Sequence, residues 1–318
     1  MTDDPASPAS ARELVVLGTA SQVPTRERNH NGYLLRWDGL GVLFDPGEGT
    51  QRQMTLAGVT ASDVDAICIT HAHGDHCLGL PGVLQRLSLD GVTGPLPVVH
   101  PAAAAPYVER MRAASAYDDR LTVEVHPVET AGRVLQLPGL TLEALPLRHS
   151  VPTVGYRLVE TDGFRLLPQR LSAEGISGPE VGRLQREGSL RTSRGVVRLE
   201  DVAVPRPGQR FAFVMDTARC PEAVELARSA DLLVCEATFG DDQAGVAAAY
   251  GHLTAREAAT IAREAGARRL VLTHFSQRYR DTRPLLDQAR EVFPDTVVAR
   301  DLDRIPVPAR VRPPFGGY

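Results

Sequence analysis

Apolar residues in this chain come in short runs broken by polar, Gly- or Pro-containing segments, and the spacing of those runs sorts the elements. Residues 13–18 form the first run and read as a buried strand. Two more runs, 33–37 and 41–45, flank Asp38-Gly39, a dipeptide suited to a two-residue hairpin turn. A strand-end loop at 45–49, a helix over 50–57 and a strand over 65–70 follow. Further strands are expected near 97–100, 121–126, 133–136, 139–145 and 153–160, with an Ala-rich helix over 101–116 between the first two. The last third changes to regular alternation. Strands fall near 210–215, 231–236, 269–273 and 296–300, and helices near 221–229, 254–265 and 282–292. Hairpins first and alternating units later predict an α/β fold, in which helices cover sheets in layers.

One stretch fits neither half. Over residues 165–210 apolar periodicity is poor, Gly and Pro recur, and nine arginines stand against five acids. No hydrophobic core of its own is expected there. The segment reads as an inserted functional arm or as a solvated linker.

Composition narrows the picture. With 318 residues the chain is one large domain or two smaller ones, and 43% hydrophobic residues are enough for a sizeable core. A net charge of −4 excludes a general polycation, so contact with nucleic acid must use a local patch or bound metals. All 35 cationic residues are Arg; a bias that runs through the whole chain reflects genome composition rather than selection for phosphate binding. The four cysteines have no CxxC spacing, and a reduced, cytoplasmic protein is expected. Residues 1–11 are polar and lack an apolar signal core, so a disordered lead-in is expected. No apolar run approaches the ~20 residues of a membrane span.

The chemistry concentrates in Thr70-His71-Ala72-His73-Gly74-Asp75-His76. Only nine histidines occur in the chain, and three lie within these six positions from His71 to His76. Side-chain alternation at a strand end aims His71 and His73 to one side. A turn at Gly74 brings Asp75 and His76 back toward the same volume. Imidazole and carboxylate suit zinc, with manganese or iron as alternatives. Three more polar residues, His149, Asp216 and His274, each follow an apolar strand in the same manner, where loops gather into sites.

The order His-x-His-x-Asp-His, then His149, Asp216 and His274, resembles the metallo-β-lactamase superfamily. More narrowly, the chain resembles the ribonuclease Z family of tRNA 3′-processing endonucleases over about residues 13–308. The narrower resemblance rests on Leu17-Gly18-Thr19, Pro24 to Asn29, Phe44 to Glu48, Leu80-Pro81-Gly82, Glu236-Ala237-Thr238, His252, Thr254, Leu272 to Ser276 and Arg278-Tyr279. It implies a four-layer αββα sandwich forming a single domain, with residues 166–208 as an inserted tRNA-binding arm containing Gly178-Pro179. It also implies two Zn2+ per subunit, with Mn2+ as an alternative: His71, His73 and His149 on one, Asp75, His76 and His274 on the other, and Asp216 between them. Asp75 would take a proton from the attacking water. His252, held by Glu236, would give one to the leaving group. Arg26, Arg28 and Asn29 become candidate substrate contacts, and His30 a neighbour of the substrate; His100 and His126 are expected to be structural. Precursor tRNA is the implied partner, and a homodimer the implied assembly.

Three positions depart from the family motifs: Cys235 stands where His is frequent, Leu253 where Ser is frequent, and Arg26 where Lys is frequent. Leu253 puts in doubt any role for a hydroxyl at that position. Two other functions share the metal motif. One is a small-molecule phosphodiesterase or other hydrolase on the same site, of which a thioesterase or lactamase would need neither the Glu236–His252 pair nor the arm. A non-catalytic RNA-binding module would be expected to have lost some of the ligands.

Overall fold

The first strand, β1 (Glu13–Gly18), is buried on both faces, and its neighbours explain why. A computed structural model describes residues 12–310 of the chain, so the expected lead-in at 1–11 lies outside the described residues. β1 pairs antiparallel with β2 (Gly32–Trp37), and β2 with β3 (Leu40–Phe44). Asp38 (φ 50°) and Gly39 (φ 93°) turn this hairpin, both in the left-handed region that a tight two-residue turn of the primed type requires. Helix α1 (Thr50–Leu56) follows, then β4 (Ala66–Cys68), parallel to β3. A one-turn helix, α2 (Gly74–Cys77), leads into α3 (Leu80–Leu89) and on to β5 (Pro95–Pro101). The predicted helix over 101–116 is shorter: a 3-10 turn over Ala102–Ala104, then α4 (Ala105–Arg112). β6 (Thr122–Val128) runs parallel to β5 and ends the first sheet on that side.

The second sheet begins with β7 (Gly132–Leu137), β8 (Leu140–Leu147) and β9 (Thr153–Glu160). The chain then enters a separate compact unit made of residues 159–209 with 138–140, wider than the insertion read from the arginine run. It holds β10 (Gly163–Leu166), α5 (Pro168–Ala173), α6 (Pro179–Glu187), β11 (Ser189–Thr192), β12 (Gly195–Arg198), α7 (Leu199–Val202) and β13 (Ala203–Arg206). Contrary to expectation it has a core of its own, built on Leu171, Ile176, Leu184, Leu190, Val197 and Val202. Those apolar residues are spread over three helices, two hairpin strands and the loop after α5, so no single window shows their periodicity.

The chain then completes the second sheet. Strands β14 (Arg210–Val214), β15 (Leu232–Glu236), β16 (Leu270–Thr273) and β17 (Thr296–Val298) are parallel neighbours. Helices α8 (Pro221–Ala227), α9 (Ala244–Tyr250), α10 (Ala255–Ala265) and α11 (Arg283–Arg290) connect them. Thr254 caps α10: its hydroxyl accepts from the Glu257 amide, while the Glu257 carboxylate accepts from the Thr254 amide at 2.9 Å. The last strand, β18 (Arg304–Pro306), returns to pair with β1. The sheet orders are 18-1-2-3-4-5-6 and 17-16-15-14-9-8-7.

Alternation along the strands produces four layers. In β14, Ala212 and Val214 pack beneath α8, α10 and α11, whereas Phe211 and Phe213 face the other sheet. In β1, Val15 and Leu17 pack with residues of α1 and α3. Between the sheets, Phe44 stacks on Phe213 at 4.7 Å and Tyr33 meets Phe213 edge-on at 5.3 Å. Such pairs contribute ~0.5–1.5 kcal/mol each beyond the area they bury. Tyr156, fully buried on β9, donates its hydroxyl to the Ile69 carbonyl at 2.7 Å, tying the second sheet to the strand that leads into the histidine cluster. The expected αββα sandwich is the observed fold.

Candidate metal centre

Every metal-site residue predicted from sequence lies just beyond a strand or in the turn after one. His71 and His73 follow β4, with Asp75 and His76 on α2; His149 follows β8, Asp216 follows β14 and His274 follows β16. Strand order in the two sheets places these carboxyl ends at one edge of the sandwich, the usual location of sites in sheets of this kind. Three strand-end residues, Asp45 (φ 45°), Asp216 (φ 43°) and His274 (φ 61°), adopt left-handed backbone. Asp and His tolerate that region better than most residues, and such strain gathers at functional sites. Close approach of backbone fixes the cluster further. A Cβ on Gly47 would lie 2.1 Å from the Asp75 carbonyl, and one on Gly79 would lie 1.9 Å from the Gly47 carbonyl.

The side chains form two sets. His71, His73, His149 and Asp216 bring one donor atom each within 4.8 Å of one another, and so do Asp75, His76 and His274. Asp216 faces both sets. Its Oδ2 is 3.6 Å from the Nε2 of both His71 and His149, while its Oδ1 is 3.4 Å from His76 Nε2 and 3.1 Å from His274 Nε2. Asp75 Oδ2 lies 3.3 Å from His76 Nε2 and 3.6 Å from His274 Nε2. Asp216 Oδ1 and His274 Nε2 are buried, yet neither makes a hydrogen bond. Buried polar atoms without partners are costly, and a cation between them would satisfy both. A third set of donors joins Asp216 and His274 to His252.

The opposite nitrogens are anchored. His76 Nδ1 is 2.8 Å from Asp45 Oδ2, His149 Nδ1 is 3.0 Å from the Gly251 carbonyl, and His274 Nδ1 is 2.7 Å from Thr238 Oγ1. Asp45 also accepts from the Thr70 amide and the Thr70 hydroxyl, both at 2.7 Å. Anchors of this kind fix the tautomer and ring orientation of metal-binding imidazoles.

Electrostatics in the metal-free site follow from how closely these groups crowd together. Burial, with the neighbouring His76, holds His71 well below the ordinary histidine range, as a neutral metal ligand requires. Burial also opposes charge on His76, but the carboxylates of Asp216, Asp75 and Asp45 outweigh it and raise that imidazole well above its ordinary value. Burial would push Asp75 and Asp216 up. The facing histidines dominate instead and hold both carboxyls far below the usual range. The ionised carboxylates of Asp75 and Asp216 draw positive charge into the site, which is what divalent cations supply.

Glu236, the fully buried last residue of β15, lies 3.0 Å through Oε1 from His252 Nδ1. Burial opposes charge on His252, yet Glu236 and Asp216 push its pKa up to about 9. His252 lines a cleft of about 460 Å³ with His73, Asp75, His149, Asp216 and His274, together with residues such as Ser21 and Arg278. Two of the motif departures point elsewhere: Cys235 and Leu253 are buried in the core under the helices, so neither presents its side chain to the cleft.

Other expected residues have mixed placements. Arg26 is exposed in the loop after β1. Half-buried Arg28 donates to the Tyr279 carbonyl, and Asn29 donates its side-chain amide to the Glu48 carbonyl at 2.8 Å, so both hold the loop in place. His30 Nε2 is 3.1 Å from the Gln22 carbonyl at the cleft rim. His100 is buried with Nδ1 on the Pro101 carbonyl, and His126 is partly exposed away from the cluster. Gly178 (φ 54°) and Pro179 start α6. Sequence reading assigned no role to Asp45 or Thr238. Asp45 follows an apolar strand as Asp216 and His274 do, and that placement is the signal that could have found it.

The chain matches the metallo-β-lactamase superfamily over residues 25–184 and a β-lactamase superfamily domain over residues 191–275. It is 55% identical over 308 residues to ribonuclease Z of Salinispora arenicola, covering 96% of this chain and 100% of that one. It is 56% identical over 303 residues to ribonuclease Z of Streptomyces coelicolor, covering 95% and 99%. Among solved structures, the short form of human tRNase Z superposes with a TM-score of 0.69 at 26% identity, covering 93% of this chain and 100% of that one.

Proposed function

Because the chain belongs to the ribonuclease Z family of the metallo-β-lactamase superfamily, we propose that it is a zinc-dependent endoribonuclease that removes 3′ trailers from precursor tRNA. The observation that carries the reading is the division of seven donors into two sets that share the two oxygens of Asp216. His71, His73 and His149 would hold one zinc, Asp75, His76 and His274 the other, and Asp216 would serve both. Two zinc ions, when held there, acidify the attacking water and offset charge on the phosphoryl oxygens.

The chain's own groups do the rest. Asp75 faces the cleft and takes the proton from the water that attacks phosphorus. His252 gives a proton from Nε2 to the ribose 3′-oxygen as the P–O3′ bond breaks, because its Nδ1 is held by Glu236. The products are a tRNA with a 3′-hydroxyl and a trailer with a 5′-phosphate. Residues 166–208, rich in arginine and opening α6 at Gly178-Pro179, grip tRNA phosphates and position the substrate without reading bases. Exposed Arg26 is the loop residue best placed to meet phosphate, with Arg28 and Asn29 holding its loop in shape. The protein works as a cytoplasmic homodimer. Among the described residues no helix is long and apolar enough to cross a membrane.

Metal analysis and one substitution test this reading. The purified chain should carry two zinc ions, and Asp75→Ala should lose precursor tRNA cleavage while keeping its melting transition. Less than one ion per chain, or retained cleavage in Asp75→Ala, would overturn it.

A further inference from the structure

Thr238 lies two residues beyond Glu236 and on the same side of the chain, since the intervening Ala237 and the preceding Cys235 are packed in the core under the helices. Its hydroxyl is buried among three groups. Glu236 Oε2 is 2.5 Å away, His274 Nδ1 is 2.7 Å away and His252 Nδ1 is 3.4 Å away. A hydroxyl carries one proton. The contact at 2.5 Å from a carboxylate oxygen places that proton toward Glu236, because Glu236 is an acceptor throughout: its Oε1 already accepts from the Thr217 amide at 2.7 Å. The Thr238 oxygen is then an acceptor toward His274, and Nδ1 of His274 must carry its own proton. His274 Nε2 is left as a lone pair aimed at Asp75 and Asp216.

We propose that Thr238 is a positioning residue that locks His274 in the Nδ1–H tautomer and joins it to Glu236, so that one carboxylate organises both the general acid and a metal ligand. The relay runs from the Glu236 carboxylate to the Thr238 hydroxyl to the His274 ring. The same carboxylate holds His252 directly at 3.0 Å and fixes the backbone beside Asp216 through Thr217. Glu236 therefore supports the zinc set of Asp75, His76 and His274 as well as the acid. By this assignment Thr238 is not a zinc ligand; it acts through His274. The inference rests on the reading of His274 as a metal ligand.

Zinc affinity measured by chelator competition for the wild type, Thr238→Ser and Thr238→Val tests it. Thr238→Val keeps the shape and removes the hydroxyl; it should weaken one of the two zinc ions ~10–100-fold, the usual cost of losing such an anchor, and leave the other unchanged. Thr238→Ser should restore the wild-type value. Two tight zinc ions in a folded Thr238→Val chain would overturn the role of Thr238 alone. A wild-type chain that lacks a second zinc would overturn the functional reading along with it. Should Thr238→Val fail to fold, nitrogen-15 spectra of the zinc-loaded wild type decide the matter: a proton on His274 Nδ1 supports the relay, and a proton on Nε2 overturns it.

Discussion

Replacing His252 by Ala separates general-acid catalysis from metal-assisted catalysis. The imidazole packs 5.1 Å from His149 and 5.5 Å from His274, ring centre to ring centre, but its Nδ1 faces Glu236, so Nε2 is the nitrogen free for the leaving group. A positioned acid contributes ~10²–10⁴-fold, equivalent to ~2.7–5.4 kcal/mol at 1.36 kcal/mol per tenfold. The full loss applies where the departing oxygen is a poor leaving group, as a ribose 3′-oxygen is. A nitrophenolate departs without help. His252→Ala should therefore lose ~10²–10⁴-fold in kcat on precursor tRNA and less than ~10-fold on bis(4-nitrophenyl) phosphate. Single-turnover assays on both substrates, with zinc content measured on the same samples, give the comparison. An equal loss on both substrates at unchanged zinc content would refute the acid role, because His252 would then be acting on a step that does not depend on the leaving group.

Three further outcomes are expected. Gly47→Ala should cost ~1–3 kcal/mol in urea unfolding, since its new methyl group meets backbone at Asp75 that cannot swing away; an unchanged midpoint would contradict this. Deleting residues 168–205, whose core is self-contained, should weaken tRNA cleavage far more than aryl phosphodiester hydrolysis, and equal losses would mean that the segment supports the fold. In metal-free protein the folded pKa of His252, about 9, stands above the unfolded value of ~6.5. Its contribution to stability is fully present below pH ~6.5 and fades as pH rises toward about 9. Thermal melts across that window should fall more steeply for the wild type than for His252→Gln, and parallel curves would refute the linkage.

The residues that the fold gathers into the two donor sets were legible because ligand-type side chains stand just past apolar runs or in the turn after one. Asp216 and His274 stand at the ends of strands whose burial on both faces leaves a nearly unbroken apolar stretch. The same runs showed sheets covered by helices, the four-layer sandwich came from the family resemblance, and the Asp38-Gly39 turn followed from the conformations those residues tolerate. What escaped depends on contacts between distant segments. Asp45 orients His76 across 31 positions, and Thr238 reaches His274 across 36. The core of the arginine-rich unit draws single residues from several short elements, which leaves no periodic stretch to see. Arg28 and Asn29 look like free polar groups in sequence, yet the fold uses them to hold a loop against Tyr279 and Glu48.

With zinc bound, the two donor sets sharing Asp216 should cut an RNA phosphodiester at the 3′ end of tRNA. Incubating the zinc-loaded chain with a precursor tRNA carrying a 3′ trailer, then mapping both new ends, tests it most directly. The account predicts a single cut after the acceptor stem, leaving a 3′-hydroxyl on the tRNA and a 5′-phosphate on the trailer. No cut, or a 3′-phosphate on the tRNA side, would contradict it.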